Sequence, residues 1–197
     1  RSMDHYHWEN SASIESWYGK LTGHFGESSA VSAFYLKNVQ GLDGNSVDPS
    51  IKGAHVHAWG AGATIDLGDS GLNIDGDFIQ TRGNRDLGHA NLWTAGLNYG
   101  KVDLNKPGSF TLGVHYVRAD AGAYLLGNSA LDMTDQLEYG WDNGTGVKFW
   151  VAKAGVAVQK NVELDAYYNF GAKAFDRYDD STKDPANTWG VELNYAF

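Results

Sequence analysis

Cysteine is absent from the 197-residue chain, which excludes a disulfide-stapled scaffold. Proline is nearly absent too, with Pro49, Pro107 and Pro185 the full set. No apolar run approaches the roughly 20 residues a spanning helix requires, and mean hydropathy is −0.41, so helical membrane insertion is excluded. Positive charge is also short: 15 Lys and Arg stand against 24 Asp and Glu, for a net charge of −9. Nucleic-acid affinity comes from clustered cations, so no nucleic-acid partner is expected. None of these absences excludes a β-barrel, whose spanning strands alternate polar and apolar residues and are hydrophilic on average. The start, Arg1-Ser2-Met3-Asp4, lacks the charged, apolar and small-residue zones of a secretory signal, and suggests a processed chain or a fragment.

Glycine and aromatic rings are abundant: 25 Gly, 7 Trp and 11 Tyr, with 13% aromatics overall. A compact soluble core does not require that many rings. Apolar residues recur at spacing two, and almost no segment sustains a helical period. The sequence therefore predicts an all-β chain of ten strands, at 3–8, 13–25, 29–38, 53–67, 72–81, 91–103, 109–119, 147–159, 162–175 and 188–197. All three prolines fall between these runs, as they must if each strand donates its N–H groups to a ladder.

Alternation predicts which side chains share a face. Trp189, Val191, Leu193, Tyr195 and Phe197 form one face of the last strand, opposite Glu192 and Asn194. In 162–175, Leu164, Ala166, Tyr168 and Phe170 lie opposite Glu163, Asp165 and Lys173. Strands 91–103 and 109–119 repeat the pattern, with His115 on the polar face, whereas 29–38 does not assign its faces. The connections also differ in kind. Short turns at Gly26–Ser28, Gly68–Gly71, Asn105–Gly108 and Lys160–Asn161 alternate mostly with longer polar loops at 39–52, 82–90, 120–146 and 176–187. Short turns at one rim and long loops at the other are the layout of an up-and-down membrane barrel. On that layout Trp17, Trp59, Trp93, Trp150 and Trp189 all fall near the long-loop rim, as an aromatic girdle at a membrane interface would. Phe25, Tyr99, Phe110, Tyr195 and Phe197 mark the opposite interface. Ordinary β-propensity enriches Trp and Tyr as well, but does not fix their height.

The ending, Trp189-Gly190-Val191-Glu192-Leu193-Asn194-Tyr195-Ala196-Phe197, resembles the terminal strand of bacterial outer-membrane β-barrels. The hairpin spanning Trp150 to Tyr168 is similar to the penultimate hairpin of a porin. The general style is similar to porins that carry an S-layer-homology domain ahead of the barrel, although that domain is not in this sequence. The resemblance implies an antiparallel up-and-down transmembrane β-barrel occupying residues 1–197, either as one domain or as the C-terminal segment of a larger, ~16-strand barrel. A first strand of 3–8 is too short to span, since a membrane strand takes roughly 9 to 11 residues. The resemblance further implies an outer-membrane location and passive diffusion of small hydrophilic solutes, without catalysis or cofactor. The implied partners are the bilayer with its lipopolysaccharide, the barrel-assembly machinery reading Val191, Leu193, Tyr195 and Phe197, and a homotrimer. Loop 120–146 is the candidate constriction loop by length.

The pore-lining candidates by strand parity are Lys20, Asp66, Asp75, Asp77, His115, Lys153, Glu163, Asp165, Lys173 and Glu192. Charge in a water-filled pore selects ions by sign, although mixed signs also pair across a wall. Other constellations are weaker. His5 with His7 and His55 with His57 have strand spacing that can chelate, yet nothing completes a four-ligand zinc set, and no metal is expected. Asp132, Asp135, Glu138 and Asp142 in the longest loop accompany no nucleophile motif. Asp176, Asp179, Asp180 and Asp184 match no EF-hand pattern. The alternatives to a channel are an outer-membrane barrel enzyme, a structural or adhesive barrel, and a soluble barrel that carries a ligand.

Overall fold

The computed structural model describes residues 16–26, 28–38, 56–83, 89–121, 123, 136–137, 139–140, 144–176 and 182–196. Nine antiparallel strands form one sheet in sequence order: β1 (Ser16–Phe25), β2 (Ser29–Asn38), β3 (Val56–Asp66), β4 (Leu72–Gly83), β5 (His89–Gly100), β6 (Phe110–Ala119), β7 (Gly146–Gln159), β8 (Val162–Phe175) and β9 (Thr188–Tyr195). Each strand pairs with its chain neighbours, so the topology is a pure meander. The expected tenth strand, 3–8, and Phe197 lie outside the described residues. A closed barrel is not formed: β1 and β9 each have one neighbour among the described strands.

The strands exist because branched and aromatic residues alternate with small or polar ones, a pattern that suits a pleated surface and no other. The turns follow from backbone chemistry. Gly26 (φ 63°), Gly68 (φ 70°) and Gly71 (φ 69°) occupy the left-handed region that tight connections need. Asn161 (φ 62°) does the same between β7 and β8, a position where Asn is better tolerated than most residues.

Register fixes the faces. Trp93, Ala95, Leu97 and Tyr99 of β5 are exposed, while Ala90, Leu92, Thr94 and Gly96 are buried. Carried across the pairing, the exposed outer face holds Leu21, Val31, Trp59, Ile65, Ile74, Leu112, Val114, Trp150, Leu164, Val191 and Leu193. β2, whose parity the sequence left open, places Val31, Ala33 and Tyr35 outward. The outer face is thus largely apolar and exposed, while the inner face carries polar groups together with a buried apolar cluster.

One facing expectation is corrected. Lys148 pairs with Lys173 but Trp150 pairs with Phe170, so Gly171 and Ala172 together oppose Phe149. Gly171 takes φ 62°, the geometry of a bulge with a left-handed glycine. The extra residue inverts the parity of the rest of β8: Ala172 and Ala174 are buried on the inner face, and Lys173 projects outward beside Lys148. Lys173 is therefore not an inner-face residue.

The buried cluster sits on the inner face toward the long-loop rim. Leu92, Val117, Val147, Phe149, Val151 and Ala172 contribute from β5 to β8, and Leu137 from the 120–146 connection covers them at 1% exposure. Gln136 fixes that segment. Its Nε2 donates to Ala186 O at 3.1 Å and to Thr188 Oγ1 at 2.9 Å, while its Oε1 accepts from Asn169 Nδ2 at 2.9 Å. The segment at Gln136 and Leu137 thus lies against the inner wall.

Candidate functional site

The inner wall below that cluster carries the charge. Lys20 of β1, Ser32 of β2, Thr64 of β3, Asp75 and Asp77 of β4, and Lys153 of β7 line one hollow of about 570 Å³. In a flat sheet Lys20 and Lys153 would stand about 29 Å apart, six strand spacings. Sharing one hollow requires the sheet to curl around it.

Its centre is a hydrogen-bonded group on three adjacent strands. Asn98 Nδ2 donates to Asp75 Oδ1 and, at 2.9 Å, to Asn73 Oδ1. Asn98 Oδ1 lies 2.9 Å from His115 Nε2. His115 Nδ1 stands 3.4 Å from Asp75 Oδ2, an electrostatic contact without hydrogen-bond geometry. The imidazole, 4% exposed, lies flat along the wall because its row partner is Gly96. A Cβ there would collide with the His115 ring and approach Asp75 Oδ1. Gly62 gives Asp77 the same room, since a Cβ at Gly62 would strike its carboxylate. Inward glycines therefore seat polar side chains sideways and keep the hollow open.

Nine of the ten pore-lining candidates share this inner face: Lys20, Asp66, Asp75, Asp77, His115, Lys153, Glu163, Asp165 and Glu192. Glu163, Asp165 and Glu192 do not join the hollow; they form a second group, in which Asp165 accepts from Asn194 Nδ2 at 2.8 Å and opposes Glu192. Asn73, Asn98 and Thr64 were not among the pore-lining candidates, although alternation put Asn98 on the polar face, because an inward amide or hydroxyl has no charge signature. The apolar inner patch was missed because Val147-Lys148-Phe149-Trp150-Val151 has large apolar residues on both parities, Trp150 on one and Val147, Phe149 and Val151 on the other. His57 lies on the outer face beside Arg82, and among the described residues no group of three or more His, Cys, Asp or Glu side chains could hold a metal ion. His5, His7, His55, Asp132, Asp135, Glu138, Asp142, Asp179 and Asp180 lie outside the described residues.

The outer face carries a stepped aromatic belt. Trp17 shares its cross-strand row with Lys37 and His57, Trp59 with Tyr35 and Gln80, Trp93 with Phe78 and Arg118, Trp150 with Tyr116 and Phe170, and Trp189 with Tyr168. From one tryptophan to the next, two strands on, the row moves by two residues toward the short turns. A step of about 6.6 Å along the strand for about 9.6 Å across two spacings places all five tryptophans at one height when the strands tilt by about 35°. Membrane barrels tilt by ~35–45°. The rings touch along the belt: Trp59 with Phe78 at 5.3 Å, Trp93 with Tyr116 at 5.2 Å, and Tyr116 with Trp150 at 4.9 Å between centroids. Six residues further along their strands stand Tyr99, against Phe110 at 6.1 Å, and Tyr195. That separation is about 20 Å along the strand.

No known family model matches this chain, and no curated protein matches it significantly.

Proposed function

We propose that the nine strands are part of a closed outer-membrane β-barrel that forms a water-filled channel for small hydrophilic solutes and ions. The observation that carries this reading is the facing of the sheet: an exposed apolar outer surface bordered by a belt of tryptophans, around an inner surface that, below its apolar cluster, is lined by Asp, Lys, Asn and Thr. A soluble carrier would hide Leu21 and Leu193, which are 78% and 68% exposed here. Lipid is the surrounding that removes this area from water, and the tilt implied by the stepped tryptophans suits it.

Closure is a physical requirement of that reading, because an open sheet edge leaves backbone N–H and C=O groups unpaired in hydrocarbon. Bacterial barrels have even strand numbers, so the nine strands need further strands to close. Eight strands leave an interior filled by side chains, whereas 16 to 18 leave an aqueous channel. A larger barrel turns the hollow at Asp75 and Asp77 into part of a continuous pore, narrowed by the segment at Gln136 and Leu137. The imidazole of His115 favours a wall role over catalysis: Nε2 faces Asn98 and Nδ1 faces Asp75, so neither nitrogen addresses a hydroxyl nucleophile.

The test is conductance. The native polypeptide, purified from membranes and added to a planar lipid bilayer, is expected to give stepwise, ohmic current increments. A protein that inserts but never conducts overturns the channel and leaves a structural or enzymatic barrel. One that stays soluble without detergent overturns the membrane reading itself.

A further inference from the structure

Among the described strands, the outer face of the sheet carries charge of one sign only, whereas the inner face carries both. Every carboxylate in the described strands points inward: Asp66, Asp75, Asp77, Glu163, Asp165 and Glu192. The charged residues on the outer face are all cations, Lys37, Arg82, Arg118, Lys148 and Lys173, in a chain whose net charge is −9. At the tilt set by the tryptophans, all five lie on the long-loop side of the aromatic belt.

Three of them form one group. Arg118 pairs with Lys148, and Lys148 with Lys173, so the three occupy a single row across β6, β7 and β8, spanning about 10 Å. The bulge at Gly171 creates this row, because without it Lys173 would face inward. Like charges directly opposed on one face repel, and the row brings together three. Asp120 Oδ1 approaches Arg118 Nε only at 3.8 Å, while its Oδ2 accepts from Asn91 N and Nδ2 at 3.0 and 3.1 Å. That contact does not neutralise the row. The group also has an aromatic floor: the Arg118 guanidinium lies 4.3 Å from the Phe175 ring centroid, and Lys148 Nζ lies 5.9 Å from it. Phe175 reaches across because its row partner is Gly146, where a Cβ would strike the ring.

We propose that Arg118, Lys148 and Lys173 bind the phosphate of a lipid headgroup in the leaflet on the long-loop side. The proposal rests on the membrane reading above. A planar guanidinium supplies two parallel donors to phosphate oxygens, and two ammonium groups supply point charge. The row directly below contains Tyr116, Trp150 and Phe170, aromatic residues of the kind that settle at headgroup level. A free anion would need only the cations. A lipid uses both features, with acyl chains along the apolar wall and phosphate one row above the rings.

The experiment uses the full chain folded in detergent micelles and titrated with diphosphorylated lipid A, its dephosphorylated form, and inorganic phosphate, with bound lipid counted by native mass spectrometry. The expected result is binding of the diphosphorylated lipid, weakened about fivefold per charge removed and roughly a hundredfold in R118Q/K148Q/K173Q. K160Q, at the short-turn rim, should bind as the parent does. K173Q alone, at an exposed position, should show the fivefold loss and carries the test if the triple variant does not fold. Undiminished binding by K173Q, or equal binding of the dephosphorylated lipid, overturns the site. Competition by inorganic phosphate at matched concentration assigns the row to a free anion and overturns the lipid. Insertion into neutral phosphatidylcholine vesicles, followed by tryptophan fluorescence, separates the two levels. Insertion without lipid A binding overturns this site alone; no insertion overturns the membrane reading and the site with it.

Discussion

Replacing Asp75 and Asp77 together by Asn should cut the cation preference of the channel by a factor that can be worked from the wall. Six inward carboxylates stand against Lys20 and Lys153, a surplus of four negative charges. At ~8 Å from a permeating ion in water, each unit charge contributes about 0.5 kcal/mol, reduced to about 0.2 kcal/mol by screening at physiological ionic strength. Four such charges lower a monovalent cation by about 0.8 kcal/mol and raise an anion equally, so the two differ by about 1.5 kcal/mol, roughly tenfold in occupancy. The double substitution halves the surplus and should bring the ratio to about threefold. The two sites should not contribute equally. Asp75 is held by Asn98 and His115, whereas the Asp77 carboxylate lies over Gly62 in the open hollow, so Asp77→Asn alone should account for more of the change. Reversal potentials under a salt gradient measure the ratio directly. Anion preference in the parent, or an unchanged ratio in the double variant, would refute the assignment of this wall to the conduction path.

Gly96→Val should displace His115 from its seat and free Asn98, at a stability cost of about 1–3 kcal/mol for overpacking; heat-induced loss of the folded band in detergent reports it, and a variant as stable as the parent would contradict the seat. Leu137→Ala removes the residue capping Val117, Phe149 and Val151 and should weaken that packing by about 2–5 kcal/mol, seen as faster proteolytic cleavage within 120–146 and a larger, noisier conductance. Leu97→Arg, on the outer face between the belts, should cost about 2–4 kcal/mol of membrane stability, whereas Ser32→Arg in the hollow should cost little; urea titrations in vesicles compare them, and a larger cost for Ser32→Arg would mean the faces are reversed.

Periodicity alone determined the strands and most of their facing. A pleated strand turns its side chains with period two, so Trp189, Val191 and Leu193 could be assigned to one surface and Glu192 and Asn194 to the other without any partner in view. The tight turns were equally legible, because Gly26, Gly68 and Asn161 are the residues that tolerate a left-handed backbone. Nine of the ten proposed inner residues followed from the same rule. Lys173 did not, because a bulge adds a residue to one strand only, and its position is set by pairing with Phe149 on the neighbouring strand. The cationic row with Arg118 and Lys148 was hidden for that reason. The Asp75–Asn98–His115 group also required the register of three strands, since residues 23 and 17 apart meet only when hairpin lengths align them. The same holds for Leu137, whose burial depends on where a long connection lands. Local chemistry fixes what each strand is and which way it faces; the alignment of strands fixes which side chains meet, and that is a property of pairs that no single segment encodes.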